Sequence, residues 1–288
     1  MSGRVILADN LAVLAETADE SIDLIYVDPP FNTGRLQTLT SLRAVRDEAE
    51  GDRLGFQGKR YRTIRLGSSS YLDVFDDYLL FLEPRLIEFR RVLKATGTLY
   101  VHLDYREVHY CKVLLDAIFG RACFLNEVIW SYDYGGRTLR RWPPKHDTIL
   151  VYVRDAERYY FDPDGPDRIP YMAPGLVGPE KAALGKRPTD SWWHTIVPPG
   201  GKERTGYPTQ KPLGIVRRIV QASSPPGGLV ADFFAGSGTT GAAAAETGRD
   251  FLLVDNSAEA ARVIARRLAS VSDVDYVGFD PAAVTGRE

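Results

Sequence analysis

The chain has 288 residues, with 36 Lys and Arg against 38 Asp and Glu, a net charge of −2 and 44% hydrophobic residues. These proportions suit one large α/β domain or a core with a small appended module, and exclude a disulfide-stapled chain. Two cysteines (Cys111, Cys123) and four scattered histidines form no metal-ligand pattern, and no apolar run approaches the ~18 residues of a membrane span.

Met1-Ser2-Gly3-Arg4 leads straight into a strand with no signal-peptide pattern, so the reading is cytoplasmic and metal-free. Near-neutral charge argues mildly against nucleic acid, but the charge is uneven. Arg53, Lys59, Arg60, Arg62 and Arg65 lie in a run without acids, and Arg137, Arg140, Arg141 and Lys145 lie in another. Such loops neutralise phosphates or are simply solvated, and charge alone leaves both open.

In chain order, Val5-Ile6-Leu7 reads as a strand ending at Asp9-Asn10. A short helix follows on Leu11, Leu14 and Ala18. Ile22 to Val27 is an apolar strand, and Asp28-Pro29-Pro30-Phe31 follows it directly. Periodicity then vanishes, and residues 34–70 read as a long loop. Leu79, Leu82, Leu86, Phe89 and Leu93 space as a helix, which Pro84 should kink or break. Thr98–Leu103 is a strand and Glu107–Phe119 a helix. Glu127–Tyr132 and Thr148–Val153 have no helix between them and should pair antiparallel. Residues 155–204, rich in Pro, Gly, Asp and Tyr, read as a small irregular insert. Trp192-Trp193-His194 within it reads as a local apolar cluster rather than a base contact.

Tyr207-Pro208-Thr209-Gln210-Lys211-Pro212 opens the next helix. Leu229–Phe234 is a strand, and Gly236-Ser237-Gly238-Thr239-Thr240-Gly241 fits G-x-G-x-x-G at a strand-to-helix turn. The following strand ends at Asp255, placed to accept ribose hydroxyls. The last helix spans 257–269, with Glu259 early and Arg266-Arg267 late as the helix dipole favours. The tail 271–288 shows no pattern. An adenosine-containing cofactor follows from this unit. A pyrophosphate at the glycine turn would meet Asp232, whereas that acid suits the ammonium of S-adenosylmethionine.

Asp232-Phe233-Phe234-Ala235-Gly236-Ser237-Gly238-Thr239 resembles the S-adenosylmethionine motif of DNA amino-methyltransferases, and Asp28-Pro29-Pro30-Phe31 is similar to their D-P-P-Y/F motif. Tyr207–Pro212 resembles their P-T-Q-K-P segment, and Asp9-Asn10 and Lys145-His146-Asp147 also fit the pattern. With the catalytic motif first and the cofactor motif last, the chain is similar to the permuted β class.

The resemblance implies a Rossmann-like α/β fold. Its sheet would have seven strands, mostly parallel with one antiparallel, and helices on both faces. Residues 1–154 and 205–270 would form the catalytic core, 155–204 a target-recognition insert and 271–288 a tail. It implies a catalytic set of Asp28, Pro29, Pro30 and Phe31. The cofactor set would be Asp9, Asn10, Asp28, Thr209, Gln210, Lys211, Asp232, Phe234, Ala235, Gly236, Ser237, Gly238, Thr239, Thr240, Asp255 and Asn256. Lys211 would pair with the cofactor carboxylate, or be a plain helix-start lysine. DNA contacts would come from Lys59, Arg60, Arg62, Arg137, Arg140 and Arg141. His102 and His146 read as structural.

The implied reaction methylates an exocyclic amine of a flipped base in double-stranded DNA. Asp in the first motif position points to N6 of adenine, with N4 of cytosine as the alternative. A homodimer and a cognate restriction endonuclease both stay open as partners. On the glycine motif alone, a nicotinamide-dependent oxidoreductase is the competing class.

Overall fold

The computed structural model describes residues 2–30, 35–46, 53–54, 60–73, 77–133, 138–198 and 200–285. The chain forms two compact units, residues 1–31 with 77–288 and residues 32–76. The larger unit begins with β1 (Gly3–Leu7), α1 (Asn10–Glu16) and β2 (Ile22–Val27). The smaller unit holds β3 (Arg35–Arg46), β4 (Arg53–Leu54) and β5 (Arg60–Asp73). The larger unit resumes with α2 (Tyr78–Val92), β6 (Leu93–Leu103), α3 (Val108–Phe119), β7 (Phe124–Ser131) and β8 (His146–Val153). Then come α4 (Pro179–Leu184), β9 (Ser191–Trp193), α5 (Leu213–Ser223), β10 (Leu229–Asp232), α6 (Thr239–Glu246) and β11 (Asp250–Asp255). The described chain closes with α7 (Ala258–Arg267), β12 (Val274–Val277) and α8 (Pro281–Thr285).

Nine strands of the larger unit form one sheet in the order β12-β1-β11-β10-β2-β6-β8-β7-β9. Only β8 runs against the others, pairing antiparallel with β6 and β7. All six residues of β2 are buried, as expected for a parallel strand covered on both faces. Alternation sends Leu24 and Tyr26 into a cluster with Ile215, Val216 and Ile219 of α5. Ile25 and Val27 face the other way, where α1, α2 and α3 pack in series. From β2 the strands proceed one way across the sheet (β6), and from β10 the other way (β11). The sheet order therefore reverses between β2 and β10, and a crevice opens at their carboxyl ends.

Four sequence expectations are corrected. Seven strands become nine, because β9 and β12 extend the two edges. Both are short and take their definition from a single neighbour, β7 and β1 respectively. Residues 34–70 are not a plain loop. β3 and β5 pair antiparallel from Arg35↔Asp73 to Arg46↔Tyr61, with β4 on β5. Thr, Ser, Ile and Tyr favour extended backbone there without the apolar alternation that marks a strand over a core. Pro84 does not break α2, which runs through it. The hydrogen bond that Pro84 forgoes belongs to Leu80, on the exposed side of the helix. Finally, Trp192 is no local cluster: it sits in the main core with Trp130 and Ile215, while Trp193 is exposed.

Candidate active site

Asp28 leaves the carboxyl end of β2, held by the buried Pro29. Its Oδ2 lies 2.6 Å from Nζ of Lys211, a residue 183 positions later that precedes α5. Its Oδ1 is buried and has no hydrogen-bond partner. Lys211 is buried and paired with Asp28, so it is not a plain helix-start lysine at the surface. Phe31 lies outside the described residues.

The glycine turn lies beside this corner, since β10 is the neighbour of β2. Gly236 and Gly238 have φ of +48° and +72°, a left-handed backbone that favours glycine. Asp232 is buried beneath the turn, accepting from Phe234 N at 3.0 Å and from the Thr240 hydroxyl at 2.6 Å. The Asp255 carboxylate accepts from Gly236 N and Ser257 N at 2.8 and 2.9 Å. The hydroxyl of Thr239 donates to the Lys211 carbonyl and contacts Ser237 Oγ, tying the turn to the segment bearing Lys211. Ala235 is buried, Phe234 half-buried, and Asn256 and Thr209 exposed. Gln210 spends its amide on the loop behind it, accepting from Thr205 N and donating to the Glu203 carbonyl.

A third group joins from β1 and α1. Asp9 caps α1 through Leu11 N and Ala12 N. The Asn10 amide donates to the Phe233 carbonyl at 2.9 Å and accepts from Arg85 Nε at 2.8 Å. Arg85 also stacks on Phe81, which packs on Phe234. Sequence reasoning missed Arg85, and Arg267 as well, whose Nη1 donates to the Thr239 hydroxyl. Both sit on helices distant in sequence, and no motif marks them.

Sequence reasoning also missed a buried polar row on the α5 face of the sheet. The Tyr26 hydroxyl meets His102 Nδ1 at 2.8 Å, and His102 Nε2 meets Asp147 Oδ2 at 3.2 Å. The Tyr132 hydroxyl donates to Asp147 Oδ1 at 3.0 Å. Burial pushes the Tyr26 phenol well above its ordinary range, and the fields of Asp28, Asp232 and Asp147 add to this. Burial would raise Asp147, but His102, Lys211 and Tyr132 together hold it below the usual carboxylate range.

The balance of charge decides what the crevice accepts. Burial raises Asp232 to about 7, with hydrogen bonds opposing and the fields of Asp28 and Asp255 adding to the rise. Burial also raises Asp255 against the N–H groups of Gly236, Ser257 and Asn256. Three acids thus share a crevice in which Lys211 is already paired. The described residues form no group of three or more metal-binding side chains. An excess of negative charge fits a cationic sulfonium and ammonium and repels a pyrophosphate. The residues present therefore fit S-adenosylmethionine.

Of the expected DNA contacts, Arg140 and Arg141 are exposed, with Arg141 Nη2 donating to the Tyr105 hydroxyl at 3.1 Å. Lys59 and Arg137 lie outside the described residues, and Arg60 and Arg62 lie on β5. A cleft of about 230 Å³ opens at the ends of β7 and β9, lined by Tyr132, Asp133, Trp193, His194 and Thr195.

The family model for N6/N4 DNA methylases matches residues 22–266, from β2 to α7. The chain belongs to the DNA methylase family. The methylase is 29% identical over 277 residues to DNA adenine methyltransferase YhdJ of Escherichia coli (strain K12), covering 92% of this chain and 82% of that one. Its fold is similar to that of the M1.HpyAVI–SAM complex (TM-score 0.59, 18% identity, 92% of this chain and 98% of the other). It is likewise similar to the cytosine-N4-specific PvuII DNA methyltransferase (TM-score 0.61, 16% identity, 99% and 90%). The methylase is an S-adenosylmethionine-dependent DNA amino-methyltransferase. The nicotinamide alternative gives way to this family assignment.

Proposed function

We propose that the methylase acts on N6 of adenine and that Asp28 is its catalytic carboxylate. One observation carries the second part: at the switch point Asp28 has one oxygen anchored on Lys211 and the other buried without a partner. An exocyclic amine has its electron pair delocalised into the ring and is a poor nucleophile. Asp28 Oδ1 and the Pro29 carbonyl accept its two N–H groups and bring the pair out of the ring plane. Positive charge develops on the nitrogen as the new bond forms, and the Asp28 carboxylate stabilises it. S-adenosylmethionine supplies the electrophilic methyl carbon when bound. Asp9, Asn10 and Phe234 would hold its adenine end, Asp255 its ribose, and the turn 235–240 its remaining length. Asp232 would answer its positive charge.

Adenine is supported by the Asp at the first motif position and by the name of the relative from Escherichia coli. We further propose that residues 155–204 select the target sequence, supported by the exposed Trp193 beside the cleft at β7 and β9. Asp28→Asn should slow methyl transfer by about 10²–10³-fold while calorimetry finds cofactor affinity within a few-fold of wild type. A variant methylating at near wild-type rate would sink the role of Asp28. Nucleoside mass spectrometry of the methylated DNA should find N6-methyladenine, and N4-methylcytosine in its place would overturn the base assignment.

A further inference from the structure

The connection between β7 and β8 presents two large apolar side chains to solvent. Leu139 is fully exposed and Trp142 is 94% exposed, on either side of the exposed Arg140 and Arg141. Large apolar groups held together at a surface, with cations between them, mark a contact with another molecule. Their stem is stiff. The Thr138 hydroxyl donates to the Arg141 carbonyl, which closes a bend with Leu139 and Arg140 at its middle. Pro143 and Pro144 follow Trp142 and fix φ on the way into β8.

The topology aims this bend at the crevice. β6 is parallel to β2, and β8 is antiparallel to both β6 and β7, so β7 runs in the direction of β2. Ser131 at the end of β7 and His146 at the start of β8 therefore lie at the sheet edge that bears Asp28. The bend also leans back across β8. Arg141 Nη2 donates to the Tyr105 hydroxyl at 3.1 Å, and its guanidinium lies 5.5 Å from the centre of that ring. Tyr105 stands two residues past the end of β6, the strand beside β2. Adjacent strands are about 4.8 Å apart, so Arg141 is anchored at a strand only one spacing from the one that ends in Asp28.

We propose that residues 138–142 form a wedge that holds the target base out of the duplex: Leu139 and Trp142 enter the space the base leaves, and Arg140 and Arg141 hold the phosphates beside it. A base taken out of the stack leaves two neighbours with bare apolar faces. An apolar side chain inserted at that step covers those faces, and an indole stacks on any base. The adjacent guanidinium groups draw the backbone inward. The wedge lowers the free energy of the flipped state without touching the reacting amine. It depends neither on the role of Asp28 nor on the choice between adenine and cytosine.

Flipping costs least where the target pair is already weak. The substrates are therefore a duplex carrying the sequence that the protein methylates in cellular DNA, and the same duplex with only the base opposite the target changed to a mismatch. The full chain with Leu139→Ala and Trp142→Ala together loses only solvent-exposed side chains, so its fold is kept. In a single turnover it should methylate the paired duplex about ten- to a hundredfold more slowly than wild type. On the mismatched duplex the loss relative to wild type should shrink to about threefold or less. A wild-type rate on the paired duplex would overturn the wedge. So would an equal loss on both duplexes, which reports weaker DNA binding and not flipping. Trp193, exposed at the cleft by β9, is the rival position. If Trp193→Ala shows the mismatch-dependent loss and the double variant does not, the assignment to 138–142 falls. Asp28→Asn should slow both duplexes alike, so a failure of the catalytic reading is distinct from a failure of the wedge.

Discussion

In the proposed role of Asp232, a single carboxyl group serves cofactor binding at the expense of the free fold. It titrates near 3.8 in an unfolded chain and at about 7 here, mainly because it is buried. Below that window both states hold the proton. Between the two values only the folded protein does, so this group's favourable contribution is lost as pH rises through the folded value. A cation beside it favours the carboxylate, so cofactor affinity should climb with pH over the same range. Asp232→Asn keeps an acceptor for Phe234 N, reverses the Thr240 bond so that the amide N–H donates to that hydroxyl, and removes the charge. Calorimetry should then show a cofactor-free protein more stable than wild type at neutral pH, at roughly 2–4 °C per kcal/mol for a chain of this size. It should also show weaker cofactor binding that no longer varies with pH. Cofactor affinity equal to wild type at alkaline pH would contradict the account. Lys211 carries a related lesson. The sequence leaves its role between a ligand contact and a plain helix-start lysine and does not show the pair with Asp28, because only the sheet order shows that the start of α5 meets the end of β2.

Among the elements, α2 is tied to the site by Arg85, beside the ring contacts of Phe81 with Phe234 and of Phe89 with Phe233. Arg85 has its Nε on Asn10 and its Nη1 on the Phe81 carbonyl, with its guanidinium over the Phe81 ring. Burial lowers its pKa, opposed by Asp9. Arg85→Ala should cost about 1.5–3 kcal/mol of stability in urea unfolding and weaken cofactor binding by loosening Asn10, whereas an unchanged midpoint would show the guanidinium to be dispensable. No sequence pattern marks Arg85, since its partners outside its own helix are Asp9 and Asn10 at the start of α1. Other elements are legible from the sequence alone. β2, α3, α5 and the β10–α6–β11 unit follow from apolar runs, helical spacing and the glycine turn, all local signals. β9 and β12 are not, because three or four residues at a sheet edge are defined by the strand they lean on. The row Tyr26, His102, Asp147 and Tyr132 escapes notice for the same reason: its members fall on or beside four different strands. The two motifs proposed to be catalytic and cofactor-binding are legible because each is continuous in sequence, while the residues that brace them are not.

At the scale of the molecule, the reversal of strand order between β2 and β10 brings Asp28 beside the glycine turn. The exposed Arg140 and Arg141 lie on the connection between β7 and β8. Replacing both with Ala should weaken DNA binding and reduce the slope of log affinity against log salt by about one to two units. Fluorescence anisotropy over a salt series checks this, and an unchanged slope would remove both from the phosphate-contacting surface. The sheet order also sets a timetable for synthesis. β1 lies between β11 and β12, paired residue for residue from Gly3↔Phe251 to Leu7↔Asp255 on one side. The ribosome releases β1 first and its two neighbours near the last, so at about 5–20 residues per second the strand waits roughly 10–50 s with both edges bare. A chain halted before β10 would carry Asp28 with no glycine turn beside it, and so could not methylate DNA while still being translated.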